Sequence, residues 1–234
     1  MGYVLEQTLL DSDRTRTVSH MRFADFLIVG AMKAGTTTLY RDLLVNPAVY
    51  FPADKEPANL CYDQVLTEEG RSEYAELFRR ADSEQVCGEA STHYTKLPKF
   101  PGVPERAKRV CGEDLRVIYL VREPVKTIIS HHYQSYTLGF LGPDINTEVR
   151  RYENLLNFTR YAMQIQPWIE MFGRENVLIL VFEEYVADRQ ETVRQVSEFL
   201  GIPPRLDAVD EQAVYNRSDG RKAPSKLWKR IRRT

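Results

Sequence analysis

The sequence predicts a single α/β domain whose central, mostly parallel sheet is flanked by helices. Three short and nearly unbroken apolar runs, FADFLIV (23–29), LRVIYLV (115–121) and VLILVF (177–182), have the length of strands covered on both faces. Segments of helical spacing separate them, the alternation of βαβ units. No Gly/Ser-rich linker divides the chain, and 234 residues with 43% hydrophobic content suffice for one core. With 28% charged residues and a formal net charge of −1, the composition excludes a disordered chain and argues against nucleic acid as a partner.

The elements follow in order. Residues 1–22 are polar and aperiodic and read as a loose arm before the domain, 23–224. After the first strand and Gly30, Leu39, Leu43 and Leu44 recur at helical spacing until Asn46-Pro47 stops the helix. Thr67 and two glutamates open a helix over 67–80. Pro124, after the second strand, suits the first position of a helix through 125–136. One long helical stretch is expected over 147–172, and an amphipathic helix over 188–200 ends at Gly201. The chain has no run of 18 apolar residues, so no membrane-spanning helix is expected, and its start lacks the pattern of a secretory signal. Cys61, Cys87 and Cys111 are odd in number and widely spaced, which fits buried thiols in a reducing compartment, and a cytoplasmic location is expected.

Ligands of parallel sheets bind at strand C-terminal ends, which points to the segments after Val29, Val121 and Phe182. Gly30-Ala31-Met32-Lys33-Ala34-Gly35-Thr36-Thr37-Thr38 follows the first strand. Its glycine spacing is that of a phosphate loop, and Ala34, Gly35, Thr36, Thr37 and Thr38 bring backbone N–H groups and hydroxyls to a helix start, a setting for an oxyanion. Yet Thr36 stands where a nucleoside-triphosphate loop has its lysine; the lysine lies inside the loop, at Lys33. The second strand ends in Arg122 rather than in an acidic magnesium ligand. Two cationic sites on neighbouring strands suit a ligand with anionic groups at both ends.

These segments resemble the sulfotransferases that use 3′-phosphoadenosine 5′-phosphosulfate (PAPS). FLIVGAMKAGTTTLY is similar to their 5′-phosphosulfate loop, and LRVIYLVREPVKTIISHHYQSY to their 3′-phosphate segment, with Arg122 at the strand end and Ser130 eight residues later. Lys55-Glu56-Pro57, GEASTHY (88–94), the 177–204 segment and Ser218-Asp219-Gly220-Arg221-Lys222 extend the likeness over residues 23–224. It runs closest to carbohydrate sulfotransferases of the heparan-sulfate type and their bacterial relatives. The resemblance implies a P-loop-like sulfotransferase fold, PAPS as cosubstrate, PAP (adenosine 3′,5′-bisphosphate) as product and no metal. It implies transfer to a hydroxyl or amine, with a carbohydrate or small molecule as acceptor. Arg221 and Lys222 would close over the 3′-phosphate.

The same resemblance assigns Lys33 to the leaving oxygen, where negative charge grows. Two residues compete as the base: Glu56, preferred because its Lys-Glu-Pro context matches the glucosamine-modifying relatives, and His93, because imidazole is the commoner base. His131 and His132 read as packing or rim residues. The heparan-type pattern has lysine where this chain has Ala90, so that charge comes from elsewhere or is not needed, and the acceptor class stays open. A P-loop kinase of a small alcohol and an inactive PAP-binding module remain the alternatives. The tail 225–234 has five basic residues and suits a solvated helix or a weak membrane-surface contact.

Overall fold

The structure, a computed structural model, describes residues 21–210. Most of the expected N-terminal arm, Arg221, Lys222 and the basic tail lie outside the described residues. Five strands, β1 (Phe26–Gly30), β2 (Val49–Tyr50), β3 (Val86–Ala90), β4 (Arg116–Val121) and β5 (Val177–Val181), form one sheet in the order β2-β3-β1-β4-β5. Every pairing is parallel. β1 is central, and all five of its residues are buried, as its unbroken apolar run requires.

From β1 the chain passes through α1 (Thr36–Leu44) to the β2 edge, whereas from β4 it proceeds to β5 at the opposite edge. The connections therefore diverge between β1 and β4. Ligands of such sheets bind beyond the C-terminal ends of the strands at this point, and Lys33 and Arg122 both follow those ends.

The helices expected near 36–45, 67–80, 125–136 and 188–200 form, whereas those over 103–111 and 182–187 were not expected. Thr67 Oγ1 accepts from Gly70 N at 3.0 Å to cap α2 (Glu68–Glu76). Pro124 opens α4 (Pro124–Thr137), and Glu123 caps it by accepting from Val125 N and Lys126 N. Between them lies α3 (Val103–Cys111), with Val103, Ala107 and Val110 on its buried face. The stretch read as one helix over 147–172 is three: α5 (Ile145–Arg151), α6 (Asn154–Asn157) and α7 (Tyr161–Phe172). The Asn157 carbonyl accepts from Gln164 Nε2 at 2.9 Å, and buried Phe158 stacks on His131 of α4. Tertiary packing thus bends a chain whose local periodicity favoured one helix. α8 (Phe182–Ala187) begins at Phe182, which had read as the end of β5; α9 (Arg189–Leu200) follows, capped by Asp188 and ended by Gly201. Among the described residues no helix is long and apolar enough to cross a membrane.

One buried ion pair ties the helix after the phosphate loop to the C-terminal helices. Asp42 of α1 accepts from Arg189 of α9 through both oxygens and from Tyr185 Oη of α8. Asp42 and Arg189 are 4% and 5% exposed, so removing either leaves a charge with no water to replace its partner. Arg189→Met is expected to destabilise the domain by about 3–5 kcal/mol in urea unfolding, and Asp42→Leu in the same chain to restore much of the loss.

Candidate active site

The loop between β1 and α1 is set by close backbone approach. A Cβ on Gly30 would stand 2.1 Å from Thr95 Oγ1, which itself donates to the Val29 carbonyl at 2.7 Å. At Gly35, φ is +92°, and a Cβ would stand 2.6 Å from the Phe182 ring. Ala31 N donates to the Leu120 carbonyl at 2.7 Å and fastens the loop to β4. Lys33 lies at the crest with φ 67°, and the first turn of α1, Thr36 to Thr38, carries no acidic side chain.

Arg122 emerges beside this loop. Its Nη1 donates to the Lys33 carbonyl at 3.1 Å, and its guanidinium lies 4.6 Å from the Phe182 ring centroid. Its buried Nε has no acceptor among the described residues. Phe182 is therefore shared support for the loop and for Arg122, a role hidden by its place in an apolar run. Ser130 lies on α4 with its side chain buried.

The base candidates are hydrogen-bonded to each other. Glu56 N donates to the Ala90 carbonyl at 3.0 Å, hanging the residue from the end of β3 with φ 68°. Glu56 Oε2 accepts from Thr92 N and Thr92 Oγ1, each at 3.0 Å, and lies 3.2 Å from His93 Nδ1. Oε1 accepts from Lys55 Nζ at 2.7 Å. The His93 ring meets Phe100 edge-on, and its Nε2 has no protein partner among the described residues. Lys33 and Glu56 thus both occupy left-handed backbone conformations, as does Ala58, the only other non-glycine residue with positive φ among those described. His131 and His132 are buried on α4, His131 stacked on Phe158 and His132 stacked on Tyr136, with His132 Nε2 3.0 Å from the Gly142 carbonyl. Burial, with Lys96 and Lys33 nearby, lowers the His131 pKa to about 4, so its ring is neutral at neutral pH.

The family model described as the sulfotransferase domain matches residues 23–228. The chain belongs to the sulfotransferase domain family.

Mouse heparan sulfate glucosamine 3-O-sulfotransferase 6 is 28% identical over 216 residues, covering 85% of this chain and 58% of that protein. Rat sulfotransferase 2B1 is 32% identical over 113 residues, 47% of this chain and 33% of that protein. The chain thus spans about 58% of the length of the heparan-sulfate relative. A crystal structure of a sulfotransferase from Alicyclobacillus acidocaldarius superposes with a TM-score of 0.68 at 26% identity, covering 82% of this chain and 86% of that one. Mouse sulfotransferase SULT7A1, solved with PAP, shares the fold at a TM-score of 0.53 and 18% identity, over 78% of this chain and 60% of that one. The expected P-loop-like sulfotransferase fold is the one observed.

In this sulfotransferase domain, strand β3 supplies the Glu56 environment, although its sequence, Val-Cys-Gly-Glu-Ala, has neither an apolar run nor a clear alternation. Thr92 had no signal as a ligand of Glu56 beyond lying next to His93. Burial pushes the Glu56 carboxyl up, but His93, Lys55 and Thr92 together outweigh it and hold its pKa at about 2. A carboxyl lowered from its ordinary 4.5 adds stability that is complete above about 4.5 and lost as pH falls toward 2. Glu56→Gln is therefore expected to lower the urea midpoint at pH 7, with the deficit shrinking between pH 5 and pH 3, as a denaturation series with pH will measure.

Proposed function

We propose that this sulfotransferase domain moves a sulfuryl group from PAPS to a hydroxyl or amine of a carbohydrate or small-molecule acceptor, without a metal. The carrying observation is that Lys33 and Arg122 adjoin at one end of the sheet. The Arg122 Nε, buried without an acceptor among the described residues, and an α1 first turn without an acidic side chain fit a doubly anionic nucleotide. Lys33 neutralises the bridging oxygen as it takes charge, assisted by the N–H groups and hydroxyls of the segment from Ala34 and Gly35 through Thr36, Thr37 and Thr38. Arg122 and Ser130 hold the 3′-phosphate, and Arg221 and Lys222 complete that site.

The two base candidates act as one unit. Both Glu56 oxygens are committed to protein donors, and a carboxyl held at about 2 is a weak base. Its geometry suits it to hold His93 by Nδ1–H, which leaves Nε2 to take the acceptor proton. The acceptor–sulfur bond forms, the bond from sulfur to the bridging oxygen breaks, PAP leaves, and the proton rests on His93. A reducing, cytoplasmic setting belongs to the same reading, supported by the free thiols of Cys61, Cys87 and Cys111. Burial raises the pKa of Cys61 and Cys111 to about 12, which keeps them unreactive.

Calorimetry tests the ligand: PAP should bind far more tightly than ATP, with no requirement for magnesium. Tighter, magnesium-dependent binding of ATP would replace this reading with a kinase. A transfer assay with radiolabelled PAPS and an acceptor panel tests the base. His93→Ala should lose about 10²–10⁴-fold in kcat, keep PAP affinity and recover in part with added imidazole. Loss confined to Glu56→Gln, with His93→Ala active, would make Glu56 the base. Lys33→Ala should cost about 10²-fold in kcat with less effect on PAP binding.

A further inference from the structure

The segment after β3 is wedged between the two halves of the site. Thr92 and His93 bind Glu56 on one side. Two residues after His93, Thr95 abuts Gly30, the first residue of the phosphate loop, and bonds the Val29 carbonyl. The next residue is Lys96. It is 8% exposed, and among the described residues its ammonium has neither a carboxylate within ion-pair distance nor a hydrogen-bond acceptor. Its contact is the Phe158 ring, whose centroid lies 6.0 Å away, and Phe158 stacks in turn on the neutral ring of His131. The backbone here is pinned: Leu97 N donates to Gln164 Oε1 at 2.8 Å, and Gln164 Nε2 donates to the Leu97 carbonyl at 3.0 Å.

A largely desolvated ammonium without an ion-pair partner carries a penalty that the Phe158 ring and a carboxylate beyond ion-pair distance offset only in part. Burial lowers its pKa, and the nearby Glu56 carboxylate acts against that. Lys96 and Lys33 both lie near enough to the buried His131 ring to disfavour its charged form. The carboxylate that Lys96 senses is already committed to Lys55, Thr92 and His93. The partner of this ammonium is then an anion brought by a substrate.

We propose that Lys96 is a further catalytic residue, which contacts the non-bridging oxygens of the sulfuryl group as it passes from the nucleotide to the acceptor. The inference rests on the sulfotransferase reading above. Lys33 serves the bridging oxygen that leaves, the Glu56–His93 pair serves the oxygen or nitrogen that attacks, and Lys96 stands on the segment joining the two. The oxygens it holds stay on sulfur throughout: one bond to sulfur forms, one breaks, and Lys96 neither gives nor takes a proton. PAPS carries these oxygens and PAP does not, so the pair of nucleotides isolates the contact.

Calorimetry on the full chain with Lys96→Met and Lys96→Arg tests the role. Lys96→Met should weaken PAPS binding about tenfold or more and leave PAP binding within about twofold, the scale of one lost charge-assisted hydrogen bond. Its transfer rate should fall about 10²-fold, and Lys96→Arg should recover part of both losses. Thermal unfolding of Lys96→Met should occur at or above the wild-type temperature, since an unpaired buried charge has been removed. Equal loss of PAPS and PAP affinity, or a lowered unfolding temperature with both affinities reduced, would make Lys96 a structural residue and overturn the role. So would a raised acceptor KM with PAPS binding and kcat unchanged, because the anion would then belong to the acceptor. Failure of the wild-type chain to bind either nucleotide overturns the function and this role together, whereas the variant comparison overturns the role alone.

Discussion

The site depends on one steric constraint, the approach of the β3 exit turn to the start of the phosphate loop. Thr95 donates to the Val29 carbonyl, and a Cβ on Gly30 would stand 2.1 Å from the same hydroxyl oxygen. Glycine at that point lets two loops from neighbouring strands share the space above the sheet. The turn that touches Gly30 begins with the residues that bind Glu56, so closing this seam brings the cationic loop and the carboxylate–imidazole pair to the same end of the sheet. Phe182 makes the corresponding seam on the other side, between Gly35 and Arg122.

Charge is distributed unevenly at that end. The carboxylate of Glu56 is consumed by four donors from three residues, while among the described residues the buried Arg122 Nε has no acceptor and the Lys96 ammonium no counter-ion. Cations without a carboxylate partner among the described residues, beside a satisfied anion, suit the anionic nucleotide proposed for this site. The backbone strain at Lys33 and Glu56 fits this division, since each residue is held in a less favoured conformation by the loop around it. Neither arrangement contributes to folding in the way the Asp42–Arg189 pair does, where both charges are buried and matched.

Much of the fold was legible because its main signals are local. Three buried strands appear as continuous apolar runs, and Thr67, Pro124 and Asp188 mark helix starts through donors and ring geometry that need no distant partner. Strand β3 escaped that reading: its buried faces are filled by Cys87 and Glu89, the latter accepting from Tyr74 Oη at 2.6 Å, and a strand completed by a buried glutamate has no hydrophobic pattern. The break of 145–172 into three helices was equally hidden. It rests on Gln164 reaching the carbonyls of Asn157 and Leu97 and on Phe158 meeting His131, contacts between residues far apart in the chain or set by a turn.

For the site, the sequence alone determined the phosphate loop, the displacement of its lysine to Lys33 and the cation at the end of β4, because a loop joined to its own strand and helix is a local object. Glu56 and His93 were legible as candidates but not as a pair. They are 37 residues apart, and only the parallel pairing of β2 with β3, extended by the hydrogen bond from Glu56 N to the Ala90 carbonyl, brings His93 Nδ1 to 3.2 Å from the carboxylate. The burial of Lys96 was decided in the same way. A lysine in a loop is ordinarily solvated, and no local pattern distinguishes one whose surroundings, Phe158, His131 and the Gln164-clamped backbone, come from elements remote in sequence. Local chemistry is written in neighbouring residues, whereas desolvation and charge pairing are properties of what the fold brings near, and that is why tertiary structure alone decided them.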